Sequence, residues 1–170
     1  MNLEVKEASS EDLTTIIAIF LACWNESYRD LLPQHVREEM TLTKARELWL
    51  PAVENNSERE TFIAFVDDVP VGVARFGRSI DDPVRGHLFS LYIHPKYAGK
   101  GLGNALLAQV IAKLKEQNFT EISLWVFKEN LSAQGLYNRN GFRATGQERT
   151  DERWKIPEIE MLNKEITSRT

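Results

Sequence analysis

Hydrophobic and polar positions along the chain change period often enough to separate strands from helices. Leu3 and Val5 alternate with Glu4 and Lys6, the two-residue period of a short strand over residues 3 to 7. Ser9-Ser10-Glu11-Asp12 follows as a polar cap with an acid three residues after its first serine, and the apolar run from Leu13 predicts a helix to about Glu26. Pro33 interrupts that pattern; further helix is expected through Arg37 to Met40 and from Lys44 to about Val53. Thr61 to Val66 and Val71 to Phe76 are rich in β-branched and aromatic residues, and Asp67-Asp68-Val69-Pro70 between them predicts a hairpin, with Pro70 at a strand start. Leu88 to Ile93 is almost wholly apolar, as expected of a strand covered on both faces.

The second half repeats the alternation of strand and helix. From Gly101 to about Gln117 the residues Leu107, Val110, Ile111 and Leu114 recur at helical spacing, with Gln109, Lys113 and Glu116 on the opposite side. Glu121 to Val126 reads as a buried strand, Asn130 as the cap of a helix ending at Asn140-Gly141, and Phe142 onward and Ile156 to Leu162 as two last strands. Strands and helices mixed in this way predict an α/β fold, and the 170 residues, 42% of them hydrophobic, suit one domain over 1–170.

Charge and cysteine content narrow the classes. A net charge of −4 with no block of Lys and Arg argues against nucleic acid as a partner. The one cysteine, Cys23, lies in an apolar run and is expected to be a buried, inert thiol. That run is too short to span a bilayer, and acidic residues precede it, so no membrane association and a cytoplasmic location are expected. His35, His87 and His94 show no metal-ligand spacing with acids, and no metal site is expected. Ser79 to Gly86 reads as a surface loop; its Asp81-Asp82 pair, like Asp67-Asp68, is either loop polarity or a lure for a cationic amine.

The segment with the clearest chemistry runs from Leu91 to Asn104, where a strand passes through His94-Pro95 into alternating Gly99, Gly101 and Gly103 at the start of a helix. Glycines permit positive φ and close backbone approach, and the free N–H groups of a helix start attract phosphate oxygens. Two common nucleotide motifs do not fit. A phosphate-binding loop with Gly99-Lys100 as its Gly-Lys pair needs glycine at His94 and Ser or Thr at Gly101, and a dinucleotide fingerprint begun at Gly99 needs glycine at Asn104.

Residues Tyr97 to Leu107 instead resemble the acyl-CoA motif of the GCN5-related N-acetyltransferase (GNAT) superfamily, [RQ]-x-x-G-x-[GA], with Gly101 and Gly103 at its last two fixed positions. Asn130 to Phe142 resembles its second motif, N-x-x-A-x-x-x-Y-x-x-x-G-F, and the first strand and the segment Trp24 to Pro33 are also similar to members. The resemblance implies a mixed central sheet splayed between two central strands and flanked by helices. It implies acetyl-CoA as cosubstrate, held by the backbone of Ala98, Gly99, Lys100, Gly101, Leu102, Gly103 and Asn104, with Leu91, Tyr92 and Ile93 along the pantetheine arm and Asn130 near the CoA chain. Ala98 stands where the family usually has Arg or Gln, so this cradle relies on backbone groups, with Lys96 and Lys100 as the nearby cations.

Direct acetyl transfer needs a free amine, a polarised carbonyl and a proton for the departing thiolate. Tyr137, at the family's tyrosine position, suits the last role, because a phenol with a pKa near 10 keeps its proton at neutral pH. No acid occupies the start of the central strand, where many members keep their base; His87 is the candidate base or relay there. Trp24, Tyr28, Phe76 and Trp125 are candidates to wall the acceptor pocket. These residues imply an N-acetyltransferase acting on the primary amine of a small molecule in a ternary complex. The alternatives are a protein or peptide acetyltransferase and a non-catalytic CoA-binding sensor. A homodimer is common in the family, but no feature of the sequence requires one.

Overall fold

Seven strands share one sheet in the order β1-β2-β3-β4-β5-β7-β6 in the computed structural model, which describes residues 2–54, 58–164 and 166. The strands are β1 (Leu3–Glu7), β2 (Arg59–Val66), β3 (Val69–Arg78), β4 (Gly86–Ile93), β5 (Ile122–Phe127), β6 (Arg143–Asp151) and β7 (Ile156–Asn163). Helices α1 (Leu13–Ala22), α2 (Gln34–Glu39), α3 (Leu42–Val53), α4 (Leu102–Glu116) and α5 (Leu131–Arg139) complete the fold. Among the described residues no helix is long and apolar enough to cross a membrane.

Local chemistry sets most boundaries. The Ser9 N–H donates to Asp12 Oδ2 at 2.9 Å, as the capping pattern predicts, and α1 follows. The helix does not run regularly to Glu26: over Cys23–Ser27 the backbone widens into a π turn, which turns the residues after Ala22 relative to the α1 stripe. Thr41 Oγ1 accepts from the Lys44 N–H at 3.2 Å, so α3 starts at Leu42, earlier than its apolar pattern suggests. Asp67 and Asp68 both have positive φ, 49° and 66°, and form the tight turn of the β2–β3 hairpin.

Period-two alternation divides the core between the two faces of the sheet. On β3, Ala74 and Phe76 face α4, whose Leu106, Leu107, Val110 and Leu114 are fully buried; Val73 faces α1 and α3 with Ile16, Phe20 and Trp49. Phe76 therefore belongs to the α4 side, packed on Phe62 at 4.8 Å between ring centroids, and does not wall an acceptor pocket.

The sheet parts at its centre. β4 and β5 are parallel and pair only at Gly86↔Ile122, His87↔Ser123 and Leu88↔Leu124. Beyond these rungs β4 stays with β3 and β5 stays with β7. A bulge accompanies the parting: Phe76 pairs with Leu88 and Arg75 with Ser90, leaving Phe89 as an extra residue that bends β4. Only Gly86–Leu88 are buried, and Phe89–Ile93 are half-buried because they border the opening, which corrects the expectation of cover along the whole strand.

Leu106 has 0% exposure and packs where α4 crosses β3. Leu106→Ala is expected to cost about 2–5 kcal/mol, read as a lower urea midpoint with unchanged slope.

Candidate active site at the parted strands

The parted strands open a cleft of about 720 Å³ that reaches both faces of the sheet. On the α4 face, Pro95–Tyr97 form one short helical turn after β4, and the chain then passes through Gly99 and Gly101 at φ 75° and 79°. Nothing lies within 4 Å of the position a Cβ would take at either glycine. α4 begins directly after Gly101 without a side-chain cap, which leaves the N–H groups of Leu102, Gly103 and Asn104 outside the helix ladder and free for an anion. Ala98, Gly99, Gly101 and Asn104 border the cleft, whereas Lys100 is exposed, with its Nζ 5.4 Å from the Tyr97 ring.

A contact between the two predicted motifs holds them in register. Asn140 Nδ2, at the end of α5, donates to Asn104 Oδ1 at 2.8 Å, and Asn163 Nδ2 of β7 donates to the Asn140 carbonyl at 3.0 Å. Asn130 Oδ1 caps α5 by accepting from the Ala133 N–H at 3.2 Å, and Asn130 also borders the cleft. Tyr137, one α5 face away, is buried against Phe142 and reaches the cleft. Burial, and then the neighbouring Tyr92, raise its pKa above the usual phenol value, so it holds its proton throughout the neutral range.

The opposite face is aromatic. Trp24, Tyr28 and Trp125 border it, together with Tyr92, Phe127 and Trp154. Trp24 and Trp154 meet edge to face at 4.8 Å, and Tyr28 packs on Phe127 at 5.4 Å and on Tyr92 at 6.2 Å. Cys23 is buried yet also borders the cleft; its thiol donates to the Ile93 carbonyl at 3.1 Å, and burial pushes its pKa up to about 12, so it stays an unreactive thiol at neutral pH.

Charged groups enter from β6, β7 and the turn between them. Arg149 Nε donates to Glu158 Oε2 at 2.7 Å and its guanidinium lies 4.3 Å from the Trp125 ring centroid. Burial raises Glu158 above the usual carboxylate range, which Arg149 only partly offsets. Burial also works upward on Asp151, but three bonds from Arg153, two from its guanidinium at 3.2 and 2.8 Å and one from its backbone N–H at 2.8 Å, outweigh it and hold that carboxyl low. Arg149 and Asp151 alternate on β6, Glu158 lies on β7 and Arg153 in the turn between them, and the pairing of β7 with β5 brings all four to the cleft.

His87 sits on the middle of the three paired rungs, its Nδ1 2.8 Å from Ser123 Oγ. Burial, reinforced by Arg149, pushes its pKa down to about 4, so it is neutral at pH 7.

The profile of the Acetyltransferase (GNAT) family matches residues 15–142. The chain belongs to the GNAT family of acetyltransferases. A spermidine N(1)-acetyltransferase of Thermoplasma acidophilum is 24% identical over 155 residues, covering 89% of this chain and 94% of that protein. The crystal structure of the PaiA N-acetyltransferase from Thermoplasma acidophilum in complex with coenzyme A superposes with a TM-score of 0.81 at 24% identity, covering 96% of this chain and 99% of that one. The ribosomal-protein-S18-alanine N-acetyltransferase from Escherichia coli shares the fold at a TM-score of 0.72 and 17% identity, over 99% and 97% of the two chains. This GNAT protein is an acyltransferase that uses acetyl-CoA, and the open glycine cradle and free α4 amides fit the pyrophosphate.

Two outcomes follow for this GNAT site. Gly101→Val is expected to weaken CoA binding about tenfold or more by calorimetry, since left-handed backbone costs a side chain about 1–2 kcal/mol and the added Cβ fills the cradle. An unfolded chain protonates His87 near 6.5, and the folded one only near 4, so the neutral His87 supports the fold fully above pH 6.5 and loses that support as pH falls through 4. The loss is up to about 3 kcal/mol. Urea melts at pH 7 and 4.5 should differ more for the wild type than for His87→Gln.

Proposed function

We propose that the chain transfers the acetyl group of acetyl-CoA directly to the primary amine of a small molecule, with both substrates held together in the cleft. The observation that carries this reading is the parting of β4 and β5, which joins the glycine cradle and Tyr137 on one face to an aromatic chamber on the other. Acetyl-CoA, once bound, supplies the activated thioester. The backbone of Gly99 to Asn104 holds its pyrophosphate, and Leu91, Tyr92 and Ile93, which β5 leaves unpaired, offer strand-like hydrogen bonds to its amide-bearing arm. Asn130 stands beside that arm.

Tyr137 keeps its proton and hydrogen-bonds to the sulfur as it leaves, easing the charge on the thiolate, while the proton that the amine nitrogen sheds on acetylation ends on the sulfur as CoA thiol. Trp24, Tyr28 and Trp125 confine the acceptor so that its nitrogen enters along the split. His87 acts as a neutral hydrogen-bonding relay with Ser123; a group that protonates near pH 4 takes a proton from an ammonium poorly, so the reaction draws on the free-amine fraction of the acceptor. The Thermoplasma relative described as a spermidine N(1)-acetyltransferase supports a small amine as the acceptor class. The chamber's aromatic confinement favours it over a polypeptide terminus.

Release of CoA thiol across a panel of small amines and peptide N-termini tests the reading. Turnover on small amines, rising with pH without a break near the ordinary histidine pKa, is the expected result. Turnover confined to peptides moves the acceptor to proteins, and CoA binding without turnover on any acceptor leaves only the sensor. Tyr137→Phe should lower kcat about a hundredfold or more while the acetyl-CoA Kd stays within a few-fold.

A further inference from the structure

The cleft's two walls differ in how their charges are compensated. On the β6–β7 wall each arginine has a carboxylate partner, Arg149 with Glu158 and Arg153 with Asp151. On the β2–β3 wall Arg59 and Arg75 border the cleft and, among the described residues, neither pairs with a carboxylate. Strand register puts them together: Thr61 pairs with Arg75 and Arg59 with Gly77, so Arg59 and Arg75 are diagonal neighbours on the face that carries Val73, away from the CoA cradle. The Arg59 guanidinium stacks 4.0 Å from the Phe89 ring centroid, which leaves its N–H edge open, and Arg75 Nε is buried without a hydrogen-bond partner. Burial and then the Arg59 charge weaken the hold of Arg75 on its proton.

Two neighbouring guanidinium groups with no counter-charge are costly unless an anion completes them. We infer that Arg59 and Arg75 receive an oxyanion of the acceptor, which makes that acceptor an amine also bearing a carboxylate or phosphate, of amino-acid type, rather than a polyamine. Guanidinium forks match either oxyanion in a bidentate arrangement. His87 is neutral, and the two cleft carboxylates are already engaged, so the charges left over on this face are positive. A polyamine would meet them unfavourably. This inference deepens the transferase reading and rests on it for the chemistry, but the anion subsite is measurable without turnover.

Amino acids, their carboxamides, phosphoethanolamine and spermidine serve as probes, first by saturable quenching of tryptophan fluorescence with CoA present, then by acetyl transfer. The expected result is binding of at least one carboxylate- or phosphate-bearing amine, weakened about tenfold to a hundredfold in its carboxamide or dephosphorylated form and by Arg75→Gln. The variant's CoA Kd and melting temperature should be unchanged; Arg59→Gln should act in the same direction, and Arg75→Lys should restore part of the affinity. The amino acid and phosphoethanolamine arms distinguish carboxylate from phosphate. Spermidine or carboxamides binding as well as the anionic amines, or binding indifferent to both arginine variants, overturns the inference while leaving amine acetylation standing. Absence of saturable binding by every anionic probe overturns it as well. Anionic-amine binding without transfer would instead defeat the transferase reading alone.

Discussion

Backbone groups inside a sheet must find partners, and at β4–β5 the sheet stops supplying them after Leu88↔Leu124. Every functional feature depends on that interruption. The extra residue Phe89 bends β4 along β3, β5 continues along β7, and the edges left between them border a cleft rather than a third element. An extended, amide-bearing ligand suits such an edge because it offers the hydrogen bonds that a neighbouring strand would have offered. Coenzyme A is a ligand of that kind, with a phosphate end for the glycine cradle and an amide-bearing arm for the edge. The same interruption connects the two faces of the sheet, which is what the proposed transfer between a cofactor on one and an acceptor on the other requires.

Around the opening, burial keeps the phenols and the imidazole uncharged while the arginines stay charged. Tyr137 is buried and Tyr92 and Tyr28 are half-buried beside it, and all hold their protons, while His87 is buried without one. Burial disfavours the charged form of each, so phenols remain acids and the imidazole remains neutral. The arginines behave differently because a guanidinium does not discharge at accessible pH. Arg149 and Arg153 are matched by carboxylates, and the imbalance remaining on the β2–β3 wall arises within a chain whose net charge is −4. Overall charge thus says little about the charge of a cleft.

Much of the cofactor side was legible because its residues are contiguous. Gly99 to Asn104 form one turn and one helix start, and Asn130 to Tyr137 form one helix, so short-range rules apply directly. The acceptor side was less legible. Trp24, Tyr28 and Trp125 do border the cleft, but Phe76, equally aromatic and on an equally plain strand, faces α4, because a one-residue change in strand position reverses the face. Arg59, Arg75 and Glu158 carried no local signal. Their roles arise from strand pairings between residues far apart in the chain, and the π turn at Cys23–Ser27 likewise became meaningful only beside Ile93.

The amino-acid sequence by itself determined the order of strands and helices, the left-handed glycines before α4, the caps that start α1 and α5, and the two motifs that mark an acetyl-CoA enzyme. Each depends on interactions within a few residues, or on a periodicity that one segment carries alone. Tertiary structure decided where β4 and β5 part, which aromatic side chains face the opening, how burial sets the protonation of Tyr137 and His87, and which arginines lack a counter-charge. Those properties depend on solvent exclusion and on neighbours brought together from distant strands, and neither exists until the chain has folded.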